Sequence, residues 1–200
     1  MRLRLQYGQA GVNSFWREKV ISQVVNIVIY LILVLFLVDL TKSDSYNKVA
    51  RVIKIILYPI LLIFNIYFKK INVGLLIAAV VIYYIYAFLM LPDLGFLGLL
   101  NLAIFKISMS LIGILKFVII AGVILSWVYM FGMYINNSFT VLIQQLYEST
   151  VSVFRNIIPP SAGFDLSPLI AFFVLQLSER ALNVLLLEIL PRISLAYFNF

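Results

Sequence analysis

The chain has 200 residues, 64% of them hydrophobic and 12% charged, with a formal net charge of +7 and neither cysteine nor histidine. A soluble domain is only about half apolar, so no water-soluble fold of this size hides that much apolar surface, and the chain reads as an integral membrane protein. Without Cys or His, disulfides, thiolate nucleophiles, iron–sulfur ligation, the commonest zinc and haem ligands and the usual general base near neutral pH are excluded.

Residues 1–19 form a mixed polar arm bearing Arg2, Arg4, Arg17 and Lys19, with Phe15 and Trp16 placed to anchor it at the interface. It lacks the apolar core and small-residue cleavage site of a signal peptide. Val20 to Leu40 is one bilayer thickness of apolar helix, on which Ser22, Asn26 and Tyr30 share a face. Thr41 to Asn47 is a short polar loop. Lys48 to Phe68 is apolar but carries Lys48, Arg51 and Lys54 on successive turns, and then Pro59. A spanning helix does not tolerate such a row of cations, whereas an amphipathic segment lying in the interface does. Gly74 to Leu91 is the second span, closed by Pro92-Asp93.

Leu94 to Phe105 is either an interfacial helix or a long lead-in to the third span. That span covers Lys106 to Phe131, with Trp127 and Tyr129 near its far end, and Asn136-Asn137 breaks the pattern. Ser138 to Ile158 is the clearest amphipathic helix. Ile143, Leu146, Tyr147, Val151, Phe154, Ile157 and Ile158 fall on one side, and Gln144, Gln145, Glu148, Ser149, Ser152, Arg155 and Asn156 on the other. Pro159-Pro160 ends it. Leu166 to Leu190 is the fourth span, closed by Pro191-Arg192.

Each half runs span, polar loop with Asn, amphipathic helix, tight connection, span. Asn47 recurs as Asn137, and Leu57-Tyr58 as Leu146-Tyr147, at an offset of about 90 residues. The expected fold is an all-α membrane protein with four transmembrane helices as two related helical hairpins, each with an interfacial amphipathic helix. The first repeat occupies 20–93 and the second 106–192. Residues 94–105 connect them, and 193–200 form a tail. Parity puts both interfacial helices on one side.

The stretch from Asn156 to Pro168, N-I-I-P-P-S-A-G-F-D-L-S-P, turns the chain from the amphipathic helix into the fourth span. Pro159 and Pro160 cannot continue a helix, Gly163 permits positive φ, Asp165 or Ser167 can cap the next helix, and Pro168 suits its first turn. Asp165 reads as a cap; the functional alternative is a carboxylate that binds a cation or a partner.

This stretch, with S-W-V at Ser126 to Val128, Q-L-Y-E-S-T at Gln145 to Thr150, R-N-I-I-P-P at Arg155 to Pro160, G-F-D-L-S-P at Gly163 to Pro168 and Leu175-Gln176, resembles the YggT family, also called YlmG. The second half matches closely; the first matches mainly in layout. The chain keeps one Arg, Arg155, where the family often has two or three. The resemblance implies a small bacterial inner-membrane protein of the two-repeat type. The family is associated with osmotic or ionic stress tolerance, with cell division and, in plastids, with haem-protein assembly, and no reaction is attached to it.

Lys116 lies well inside the third span, and Glu179 and Arg180 near the middle of the fourth. With the spans antiparallel, a rise of about 1.5 Å per residue puts Lys116 and Glu179 at similar depth. Gln176, Glu179 and Asn183 form one stripe. An isolated charge at mid-bilayer costs at least about 2.5–3.5 kcal/mol, so these charges need partners. The expectation is a buried network of Lys116, Gln176, Glu179, Arg180 and Asn183. It serves either as a packing device between spans or as a polar path or docking face.

Net charge does not point to nucleic acid, because Lys and Arg gather in loops and at span ends, facing anionic headgroups. The cluster from Lys42 to Lys70 tilts that face toward the cytoplasm. The resulting expectation is a non-enzymatic inner-membrane protein without cofactor or metal, whose partners are the bilayer and a larger membrane complex or further copies of itself. The rivals are an oligomeric ion or small-solute conduit and an intramembrane enzyme, the latter disfavoured because Glu179 is the lone deep carboxylate.

Overall fold

In lipid every backbone amide must be paired within its own segment, so long apolar runs have to be helices. The computed structural model describes residues 2–41, 47–69, 71–155 and 165–189. Their order is α1 (Arg2–Leu40), α2 (Lys48–Ile56), α3 (Tyr58–Ile63), the strands β1 (Tyr67–Phe68) and β2 (Ile71–Asn72), α4 (Gly74–Met90), a 3-10 turn at Pro92–Leu94, α5 (Gly95–Met130), α6 (Ser138–Arg155) and α7 (Ser167–Ile189). The expectations for Lys42, for Lys70, for Asn156 to Pro160 and Gly163, for Pro191-Arg192 and for the tail fall outside these residues.

Among the described residues three stretches are long and apolar enough to cross a membrane: Glu18–Leu40, Pro92–Met130 and Ser167–Glu188. Helix α4 is apolar but shorter, with 17 residues, about 25 Å at 1.5 Å per residue. The polar arm is not a separate segment, because α1 runs unbroken from Arg2 to Leu40. Of the two readings of Leu94 to Phe105, the structure takes the lead-in: it is the first part of the 36-residue α5.

The Lys48 to Phe68 segment is not one helix. The chain breaks at Leu57, whose amide donates back to Ile53 O, and α3 restarts with Pro59 in its first turn, where a missing N–H costs nothing. The segment then ends in the small antiparallel hairpin, pairing Tyr67 with Asn72 and Phe68 with Ile71.

The core runs along one side of α1 through Ile29, Ile32, Leu33 and Phe36. It is closed by Leu75 and Ala79 of α4, Ile114 and Val118 of α5, Ile143, Leu146 and Val151 of α6, and Ala171 of α7. Ala78 and Ala79 are fully buried, and such small residues let helix backbones approach closely in lipid. A satellite cluster of Ala87, Leu99 and Leu102 fills the turn between α4 and α5. Ile85, Phe88, Leu89, Ile124, Phe173 and Leu177 point outward and are exposed. On a soluble protein such a surface would aggregate; here it is the lipid-facing coat.

The α6 face expected from periodicity is the buried one: Ile143, Leu146, Tyr147 and Val151 lie inside. Helices α5 and α6 pack closely where Tyr147 seats on Gly122 of α5. A Cβ on Gly122 would lie 2.3 Å from two Tyr147 ring atoms. Gly122→Ala is therefore expected to push α6 off α5 and cost about 2 kcal/mol by overpacking. Thermal unfolding in detergent checks this, and an unchanged midpoint would show that the ring swings aside freely.

Both amphipathic helices start on an asparagine. Asn47 Oδ1 accepts the Val49 amide at 2.9 Å, and Asn137 Oδ1 accepts the amides of Phe139 at 3.0 Å and Thr140 at 2.9 Å. The buried Asn47 also donates from Nδ2 to Ser138 O at 2.7 Å, tying the start of α2 to the start of α6.

Candidate functional site

Two groups of charged side chains stand on the second half of the chain. The first lies between α5 and α7. Lys116 stands about 21 Å from the Met130 end of α5 and Glu179 about 18 Å from the Ser167 end of α7, at 1.5 Å per residue. Lys116 Nζ reaches Glu179 Oε2 at 2.5 Å and Gln176 Oε1 at 2.6 Å, and it stands 5.4 Å from the centroid of the Phe172 ring. Phe172, Gln176 and Glu179 recur at helical spacing, so α7 offers Lys116 a ring, an amide oxygen and a carboxylate from one face.

The remaining members of the expected network stand apart. Arg180 is exposed, because the residue next to Glu179 on a helix points about 100° away. Asn183 shares Glu179's stripe and is half-buried, but it is one turn past Lys116. Among the described residues neither is bonded to this group.

The second group clamps the end of α6 to the start of α7. Arg155 Nε donates to Asp165 Oδ2 at 2.6 Å, and its Nη1 reaches Glu148 Oε2 at 2.5 Å. Asp165 Oδ1 accepts the Ser167 amide at 2.9 Å, so the same carboxylate holds the first amide of α7 and the guanidinium of α6. Asp165 thus pins the helix start as expected of a cap, and its second oxygen binds a cation from within the chain. Ser167 and Pro168 are buried beneath it.

The electrostatics follow from these contacts. Partial burial pushes the Asp165 carboxyl up, but hydrogen bonds from Ser167 and Arg155, with the guanidinium charge, outweigh it and hold the group below its ordinary 3.8. Hydrogen bonds to Glu148 and Asp165 keep Arg155 firmly protonated. Burial pushes the Tyr147 phenol up, against the opposing charge of Arg155. Because the folded Asp165 binds its proton less readily than the unfolded chain does, its contribution is complete above 3.8 and is lost as pH falls through the lowered value. Arg155→Gln is therefore expected to cost about 1 kcal/mol at neutral pH, the partly exposed setting limiting the effect. The deficit should shrink below pH 3.8, and unfolding midpoints of both proteins across acid pH measure it. A deficit independent of pH would remove Asp165 from the account.

Sequence reading missed Glu148 as the second partner of Arg155, although a spacing of seven residues on one helix face is a legible signal. It missed Gly122 as the seat of Tyr147, because a single glycine in an apolar span carries no such information. It read Asn47 as a repeat marker without the contact across to Ser138.

Residues 101–186, the part of the chain holding both charged groups, match the family model described as CCB3/YggT. No curated protein and no solved structure matches the chain.

Proposed function

Because residues 101–186 match the CCB3/YggT family model, we propose that this is a non-enzymatic bacterial inner-membrane protein that supports the assembly and positioning of a larger membrane complex, and through it osmotic or ionic stress tolerance. In this reading α4 is a fourth crossing. The chain is then two related hairpins, α1 with α4 and α5 with α7, and α2 and α6 lie in the interface on the cytoplasmic face. The paired starts of α2 and α6 on Asn47 and Asn137 support such a duplication.

The observation that carries the proposal is the Arg155 clamp. One ion pair, Arg155–Asp165, fixes α6 to the start of α7 and a second, Arg155–Glu148, holds the guanidinium along α6, while Val141, Gln144, Ser152 and Val153 of α6 stay exposed. A rigid, mixed polar and apolar helix face is what a docking surface needs, because little side-chain and loop freedom is lost on binding.

An oligomeric conduit lined by intramembrane polar residues is the second reading, and the Lys116–Glu179 pair, a charged couple within the spans among the described residues, favours it. Native mass spectrometry of the protein extracted in nanodiscs from its own membrane, without overexpression, separates the two. Co-migration with a defined larger complex, lost on replacing Gln144 and Ser152 by alanine, is the expected result. A free homo-oligomer showing ion flux that Lys116→Met abolishes would sink the assembly reading and leave the conduit.

A further inference from the structure

The first amphipathic segment, in the part of the chain that the family match does not cover, encloses a feature that neither charged group uses. A cleft of about 420 Å³ opens between the C-terminal part of α1, helices α2 and α3, and the hairpin. Its volume falls in the range of small-molecule sites, about 300–1,000 Å³. Arg51 and Lys54 stand on its wall one turn apart on α2. Among the described residues neither has an ion-pair partner, unlike Lys116 and Arg155.

The rest of the lining is sorted by polarity. Tyr58, Asn65 and Tyr67 supply hydroxyl and amide donors, and Asp39 supplies an acceptor. Leu61 and Leu62 close the apolar side. Next in sequence to the lining residues Leu62 and Tyr67, Ile63 is 75% and Phe68 65% exposed, apolar surface adjoining the cleft. Two cations beside hydroxyl and amide donors, with the Asp39 carboxylate close enough to Lys54 to share its charge, recognise a phosphate oxygen pair and an adjoining hydroxyl. The apolar surface suits the first methylenes of acyl chains. The end of a membrane helix is where all three arrive on one molecule.

We propose that this cleft binds the headgroup of an anionic glycerophospholipid, with Arg51 and Lys54 gripping the phosphodiester, Asp39 accepting from a headgroup hydroxyl, and the acyl chains leaving over Ile63 and Phe68. The site is distinct from the α6 surface, so it stands whether or not a larger complex is found.

The test uses the full chain in nanodiscs of phosphatidylcholine with phosphatidylglycerol as the minority lipid, and native mass spectrometry counts the lipids retained on the ejected protein. Phosphatidylglycerol is expected to be retained above its share of the bilayer. Its affinity should fall about fivefold for each of Arg51→Gln and Lys54→Gln, the weight of one cation at an anionic surface. Leu62→Trp, which fills the cleft from its exposed side without changing charge, is expected to lower retention as well. Lys48→Gln, the same charge change outside the cleft, should leave it unchanged. Circular dichroism of each variant shows that it is folded. Equal loss in the cleft and control variants would reduce the effect to general surface charge and overturn the proposal. Displacement of the lipid by millimolar inorganic phosphate or glycerol phosphate would overturn it in favour of a soluble phosphate ligand.

Discussion

Gly74→Ala is expected to cost at least about 3 kcal/mol, the upper end of overpacking penalties, and to release the hairpin from the start of α4. The added methyl would sit 1.9 Å from Phe64 O and 2.9 Å from Asn72 Oδ1. The first of these is backbone, and it cannot swing away. The Phe64 amide is bonded to Ile60 O, and the Gly74 amide to Ile66 O, so both sides of the contact are held in place. The glycine is required for close approach rather than for an unusual φ. Thermal unfolding in detergent, followed by helix content, gives the cost, and a midpoint within error of the parent would mean that the hairpin and α4 are not packed as described. Because the hairpin forms one wall of the cleft, the same variant should also lose retained phosphatidylglycerol.

Lys116→Met is expected to be the most damaging substitution among the charges. It leaves Glu179 between two apolar helices with only Gln176 for company, and an unpaired charge at that depth costs about 3 kcal/mol. Removing both partners is a different matter. In the double variant Lys116→Met, Glu179→Leu no charge is left to desolvate, and apolar replacement of a buried pair is often neutral or stabilising. The double variant should therefore recover most of the loss. Denaturation of the parent, the single variants and the double variant forms the cycle. If single and double variants lose stability equally, Lys116 acts through its aliphatic stem and its contact with Phe172 rather than through the ion pair.

How much of this was legible depended on which signals are local. The apolar runs and the face of α6 could be read because bilayer length and helical spacing are properties of the sequence itself. Lys116 and Glu179 could be set at one depth by counting residues. Arg180 could not be partnered that way, since depth alone ignores the direction in which a side chain leaves its helix. Polar residues 2–17 hid the continuation of α1, because a helix that extends past the bilayer has no hydropathy signature. The hairpin was invisible for a definite reason. Its turn passes through Lys69 with φ of 48°, a left-handed conformation usually given to Gly, Asn or Asp. Pro59 announced a break but not that Leu57 would take it, which depends on how α2 packs against α1. The seat of Tyr147 on Gly122 and the clash held off by Gly74 belong to the tertiary structure alone.

The hydrogen bond from Asn47 to Ser138 O has a mechanical meaning. Among the described residues one short hydrogen bond between helix starts joins the two halves of the chain at their amphipathic elements, beside apolar contacts there. Force applied in the plane of the bilayer would be carried by the broad apolar contacts deeper in the fold and, at this level, by that tie and the contacts beside it. A bond of this kind contributes only about 1 kcal/mol net. The outer ends of α2 and α6 therefore part under a small load while the cores of the two halves stay joined. The polypeptide is stiff at its centre and compliant along one seam, and that seam runs between the lipid cleft on one half and the clamped face of α6 on the other.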